Sequence, residues 1–201
     1  MGGMARSYLE VSDLAKRMRI YFVNSISAIN FFTFGMLVSA YFLLLTPFPE
    51  AFRSPPLLIA GLIPLVIAAV IIVGKFTPRG YGEPDGGRWA LAFSLPFLLY
   101  LIPTYLAPQY LVLCTTMWYP SLGLGLLAAH VLIMRKKVEQ RCSPFLIASL
   151  IVLSTSPAVL YLTLLRGVVA ATFAIGLMLL AYYVAGAYSL YAAHKALLEK
   201  S

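Results

Sequence analysis

The segment from Pro144 to Ala193 constrains the fold more than any other part of the chain, because Arg166 is its only charged residue. Arg166 separates two apolar runs, residues 144–165 and 167–193. Each run exceeds the roughly 20 residues that a helix needs to cross the hydrocarbon core of a bilayer. Lipid accepts backbone only when its polar groups are bonded within helices or a closed barrel. We therefore predict a transmembrane helical hairpin with Arg166 at one membrane surface.

The rest of the chain repeats this pattern. Apolar residues make up 61% of the sequence and charged residues 11%, a composition typical of an all-α polytopic membrane protein. The connections are too short for a soluble domain, so we predict one six-helix domain, residues 20–201, after an N-terminal segment, residues 1–19. The predicted transmembrane helices are residues 20–45, 56–73, 89–106, 109–134, 144–165 and 167–193.

The N-terminal segment, residues 1–19, has its own helical pattern. Tyr8, Val11, Leu14 and Met18 recur at helical spacing among basic residues. This pattern predicts a short amphipathic helix that lies on the membrane surface. A frayed polar tail is the alternative.

The distribution of basic residues predicts the orientation. Six helices place both ends of the chain on one side, and every Lys and Arg except Arg53 and Arg166 falls on that side. By the positive-inside rule, both termini face the cytoplasm and the protein lies in the cytoplasmic membrane. Topology also explains the net charge of +8 without a nucleic-acid partner, for which the sequence has no motif. The few side-chain amides favour a thermophilic source, although they also fit any lipid-facing chain: Asn24, Asn30, Gln109 and Gln140.

Four prolines predict a special layer inside the membrane. Counted from the outer end of each predicted helix, they lie about 12 to 17 Å deep: Pro64, Pro96, Pro120 and Pro157. Proline in a helix interior removes a backbone hydrogen bond, and nearby hydroxyls can satisfy the freed carbonyls. The polar and aromatic side chains of this layer are Thr115, Thr116, Trp118, Tyr119, Ser154, Thr155 and Ser156. Broken helices at mid-depth form the binding sites of many transporters, so the layer is a candidate ligand pathway. Ordinary proline kinks are the alternative.

Arg166 has two interpretations. It attracts an anionic ligand to an outward-facing mouth, or it extends to the lipid headgroups. No Asp, Glu, Lys or Arg lies in the interior of a predicted helix, which disfavours an ion-coupled pump.

The last predicted helix carries small residues at every fourth position: Ala181, Ala185, Ser189 and Ala193. Small residues at one helix face allow a neighbouring helix to approach closely. We predict a helix-packing role for them.

Chemistry-bearing motifs are scarce. His130 and His194 invite a haem hypothesis, but their positions offset them by roughly 9 Å along the membrane normal. Cys142 with His194 lacks a third residue to orient the base. The sequence has no metal-ligand spacing and no hydrolase or kinase signature, so we predict no enzyme activity, cofactor or metal.

The sequence therefore predicts transport or translocation, by a transporter or by the membrane-spanning subunit of a larger apparatus. Besides lipids, other subunits are expected partners through loops 74–88 and 135–143. Six helices with both ends inside resemble the substrate-capturing subunits of energy-coupling-factor transporters, and the amphipathic first segment resembles permease subunits of ABC exporters. Either resemblance implies a separate ATPase, since the chain has no phosphate-binding loop. The alternatives are a structural or assembly subunit, and, third, a membrane enzyme or redox protein.

Overall fold

The computed structural model describes residues 2–45, 47–48, 60–61, 63–65, 67–68, 71–72, 75, 86–135 and 143–198, and nearly all of them are helical. Within this part of the chain, three helices are long and apolar enough to cross a membrane. They lie in α1 (Gly2–Leu45, apolar from Val11), α4 (Pro144–Gly167) and α5 (Val169–Leu198). The predicted all-helical class is confirmed for the described residues.

Helix α1 is longer than predicted. It runs from Gly2 to Leu45 as one helix, so the structure has no boundary between residues 1–19 and the first membrane span. The basic residues before Ile20 have good helix propensity, and nothing in the sequence there ends a helix. Val11, Leu14 and Met18 are all exposed. Helix α1 ends at Leu45, just before Pro47, which cannot continue a helix.

Helices α4 and α5 form a hairpin. Arg166 interrupts them with non-helical backbone angles, φ −150° and ψ 77°. The rings of Phe145 in α4 and Tyr182 in α5 lie 4.8 and 5.5 Å from the same ring, that of Phe31 in α1. One straight helix would separate Phe145 from Tyr182 by about 55 Å. The chain therefore reverses direction near Arg166.

Helix α1 packs closely along α5. A methyl group added to Gly186 would lie 2.8 Å from the Phe32 ring, and one added to Gly35 would lie 3.0 Å from the Tyr182 ring. Both glycines are buried, and any larger side chain there would push the two helices apart.

The same ring contacts define the two ends of the bundle. Along α1, Phe32 lies against Gly186 and Gly35 lies against Tyr182, so α1 runs antiparallel to α5. Because α4 and α5 form a hairpin, α1 runs parallel to α4. The N-terminal half of α1 and the C-terminal part of α5 thus share one end, here called the basic end. Cations at this end include Lys16, Arg17, Arg19 and Lys195. Arg166 lies at the opposite end, about 30 Å away along α4.

The middle of the chain is helical but broken. It comprises α2 (Gly86–Ser94), a 3₁₀ segment (Leu95–Tyr100), a π turn (Ile102–Leu106), a second 3₁₀ segment (Pro108–Thr115), α3 (Trp118–Ala129) and a final π turn (His130–Met134). The predicted helix 89–106 is thus three short pieces, with Pro96 and Pro103 at the start of two of them. The predicted helix 109–134 is two pieces bent by 70°.

Half of the predicted helix 56–73 lies outside the described residues. Those of its residues that the structure describes, from Ala60 to Ile72, are helical. Gly61 lies so close to the Tyr41 ring of α1 that a methyl group at this position would clash with it.

Candidate functional site at the broken span

The break between the second 3₁₀ segment and α3 falls at Thr116 and Met117. Thr116 has non-helical angles, φ −125° and ψ 2°. Pro120 sits in the first turn of α3, where its missing N–H removes no helical bond, so it begins a helix instead of kinking one. The Thr116 carbonyl accepts the Tyr119 amide at 2.9 Å, and the Met117 carbonyl accepts the Ser121 hydroxyl at 2.9 Å. The break is therefore compatible with an apolar surrounding, because these backbone groups stay bonded.

One hydroxyl pair joins α3 to α4 beside the break. Tyr119 is fully buried, and its hydroxyl lies 2.7 Å from that of Thr155. The Thr155 hydroxyl also lies 2.7 Å from the Ile151 carbonyl, which can only accept. Since a hydroxyl has one hydrogen, Thr155 donates to that carbonyl and Tyr119 donates to Thr155.

A second pair lies on the other side of the break. The hydroxyls of Thr116 and Thr163 are 2.6 Å apart, and both residues are buried. Thr163 donates to the Val159 carbonyl at 2.7 Å, so Thr116 is the donor within the pair. In both pairs the broken span donates and α4 accepts. Four neutral hydroxyls thus hold the bent chain to the hairpin.

Thr163 was missed in the sequence, although a signal for it exists. Ser149, Ser156 and Thr163 recur every seventh residue of α4, which is close to two helical turns, and all three are buried. This repeat marks the face that α4 presents to the bundle.

The predicted single layer is two levels in the structure. Thr155 and Thr163 are separated by about 12 Å along α4, so the Tyr119 pair and the Thr116 pair lie at different depths. Thr115 precedes Thr116 in the chain and is half-buried. The backbone between the two pairs is not regular helix, since Thr116 has φ −125° and ψ 2°.

Several predicted pathway residues lie apart from the break. Ser154 and Pro157 are exposed on the outer side of α4, and Pro64 is exposed as well. The hydroxyls of Ser154, Thr155 and Ser156 bond to the carbonyls of Ile151 and Val152, whereas Pro157 frees the carbonyl of Leu153. The expected match between hydroxyls and freed carbonyls therefore does not occur at Pro157. Pro96 is buried, and Arg166 is exposed at its end of the bundle.

Trp118 occupies the first turn of α3 and faces α1. Its indole ring stacks on the Phe42 ring, with centroids 4.6 Å apart and planes 12° apart. The side chain is 6% exposed, and its Nε1 has no hydrogen-bond partner among the described residues. Two further buried atoms share this property within the described chain, the hydroxyl oxygens of Ser39 and Ser149.

The small residues of the last helix face the interior. Ala181, Ala185 and Ser189 are fully buried, and Ala193 is 2% exposed. The Ser189 hydroxyl bonds to the Ala185 carbonyl of its own helix, so it leaves no unpaired polar group on this surface. The structure therefore places all four where neighbouring helices pack.

The remaining predicted features lie near the basic end. His130 Nδ1 is 2.6 Å from the Ser143 hydroxyl, which also accepts the Leu146 amide at the start of α4. His194 lies about 18 Å beyond Tyr182 along α5, well away from the level of His130. No group of three His, Cys, Asp or Glu residues that suits a metal ion occurs in the described ranges. Loops 74–88 and 135–143, with Cys142, lie largely outside those ranges.

Comparison with models of known protein families, with curated protein sequences and with solved structures finds no match to this chain.

Proposed function

We propose that this chain acts in transport or translocation across the cytoplasmic membrane, as a transporter or as the membrane-spanning subunit of a larger apparatus. The observation that carries the proposal is the 70° bend between the second 3₁₀ segment and α3, with the buried residues Thr116 and Met117 at the break and hydrogen-bonded backbone around it. Non-helical backbone inside a membrane is tolerated where protein buries it or where it lines a cavity, and transporters build binding sites from such breaks.

The proposed topology has six spans with both termini in the cytoplasm. Three spans are α1, α4 and α5, and the bent pair is a fourth. Helix α2 with the 3₁₀ segment after it has a length of about 25 Å, which with the following π turn is enough for a further span. The remaining span is residues 56–73. The cations gathered at the basic end support a cytoplasmic location for that end.

Single cysteines test the orientation. In a chain whose Cys114 and Cys142 are replaced by Ala, we place one cysteine at Ser12→Cys and, separately, at Arg166→Cys; both native side chains are exposed. A membrane-impermeant maleimide applied to intact cells should label position 166 and not position 12. After the membrane is opened, both should react. Labelling of position 12 in intact cells would overturn the proposed topology.

Purification in a mild detergent tests the function. A soluble ATPase or a set of translocation subunits in fixed ratio to this chain supports the proposal, and so does solute flux through proteoliposomes that contain the chain. A stable partner complex with no ATPase and no flux would favour the alternative, a structural or assembly subunit. The tightly packed interface of α1 and α5, with its buried glycines, is the feature that fits a purely structural role.

A further inference from the structure

Two buried polar groups without partners lie beside the break. Trp118 Nε1 carries a hydrogen that no described residue accepts, and the Ser39 hydroxyl of α1 is likewise unpaired. Ser39 lies one turn before Phe42, the residue whose ring covers the face of Trp118. Buried polar groups in native proteins are nearly always bonded, so a donor left free at this place needs an explanation.

The neighbouring polar groups do not have this property. Tyr119 and Thr116, which flank Trp118 across the break, both give their hydrogens to threonines of α4. The free donor is therefore specific to Trp118 and is not a general feature of the broken span. Indole N–H can only donate, so the missing partner must supply an acceptor atom.

We propose that Trp118 Nε1 donates to an oxygen of a small uncharged solute at the broken span, with the Ser39 hydroxyl as a second contact. This inference rests on the proposed transport function, and it names the class of substrate. The site offers hydroxyls and an indole but no charged side chain: there is no Asp, Glu, Lys or Arg in residues 20–45, 118–129, 144–165 and 169–193. A charged solute would lose its hydration there without a counter-charge, whereas a neutral solute would lose little.

The Ser149 hydroxyl of α4 is also buried without a partner. It is the third unpaired buried atom, and it lies about 9 Å from Thr155 along α4, toward the basic end. Unpaired neutral groups therefore follow one another along the bundle, from the break toward the cytoplasmic side proposed above.

Acetamide and acetate form a matched pair of probes, since both present an acceptor oxygen and only acetate is charged. In nanodiscs, acetamide should shift the fluorescence emission of Trp118 to longer wavelength, and acetate should not. The Trp118 signal is isolated in the Trp89→Phe variant. If that variant does not fold, the Trp118 signal is obtained as the difference between the emission of the wild type and that of Trp118→Phe. No response to acetamide would overturn the inference, and an equal response to acetate would overturn the neutral class.

Flux separates the inference from the proposed function. Proteoliposomes should take up acetamide, and Trp118→Phe should slow this uptake several-fold, up to about tenfold, which corresponds to the loss of one neutral hydrogen bond. Any loss of stability in this variant should come from the smaller ring, because the donor that it deletes has no partner. A loss of stability together with unchanged uptake would show a structural indole and overturn the inference. An emission response without any uptake would leave the binding site in place and refute transport by this chain alone.

Discussion

The pair Thr116 and Thr163 allows an asymmetric prediction. Thr163→Val removes the acceptor of a buried hydroxyl, so Thr116 keeps an O–H without a partner, at a cost of about 1–3 kcal/mol. Thr116→Val removes only the donor, and Thr163 still donates to the Val159 carbonyl, so the cost is about 0.5–1.5 kcal/mol. Valine has nearly the shape of threonine, which keeps packing changes small. We expect Thr163→Val to be the more destabilising variant by about 1 kcal/mol.

Reversible unfolding in mixed micelles, followed by circular dichroism, measures both variants and the double variant. The coupling free energy between the two positions should be about 0.6 kcal/mol and at most about 1.7 kcal/mol, as found for hydrogen bonds between membrane helices. Ser154→Ala is the control, since this exposed side chain bonds only to its own helix, and it should change stability by less than about 0.5 kcal/mol. If Thr116→Val costs as much as Thr163→Val, the assigned direction of the bond is wrong. If the coupling is zero, the pair does not hold the break.

Three further substitutions, two of them with matched controls, test the packing and hydrogen bonding of the interior. Ala185→Leu places a large side chain where α5 is fully buried and should destabilise the fold by about 1–3 kcal/mol in the same unfolding assay. Its control, Ala187→Leu on the exposed side of α5, should be neutral. Equal effects of the two variants would contradict close packing. Tyr119→Phe should cost about 0.5–1.5 kcal/mol and Tyr161→Phe nothing measurable, and the reverse order would refute the Tyr119 bond. Ser149→Ala should leave stability unchanged or raise it, because the hydroxyl is buried without a partner; a clear loss would mean that it has one.

Part of the candidate site was readable in the sequence. Thr116, Tyr119 and Thr155 were predicted to share one layer, and all three bond between helices at the break, but Thr116 lies at the level of Thr163 and not at that of Thr155. Depth follows from residue spacing along a helix, so it can be estimated without a structure. Which side a residue faces depends on neighbouring helices that the local sequence does not name. Ser154 and Pro157 therefore entered the prediction although they lie on the outer side of α4.

The proline positions show a second limit. A proline at the start of a helix and a proline inside one are the same letter in the sequence, but only the second removes a helical hydrogen bond. Pro96 and Pro120 begin segments, and Pro157 lies inside α4. The difference depends on whether the chain before the proline can turn away, which is decided by the segments that pack against it.

By itself, the sequence determined that this chain is helical, that its long apolar runs require a lipid surrounding, and that Arg166 separates two long helices. These properties follow from composition and spacing, because the cost of exposing apolar surface or unbonded backbone is the same wherever it occurs in the chain. Only the tertiary structure decided where the fourth predicted helix breaks, which hydroxyls meet across the break, and that Trp118 keeps a free N–H beneath the ring of Phe42. Those are contacts between residues far apart in the chain, and their energies depend on distances and directions that no local pattern contains.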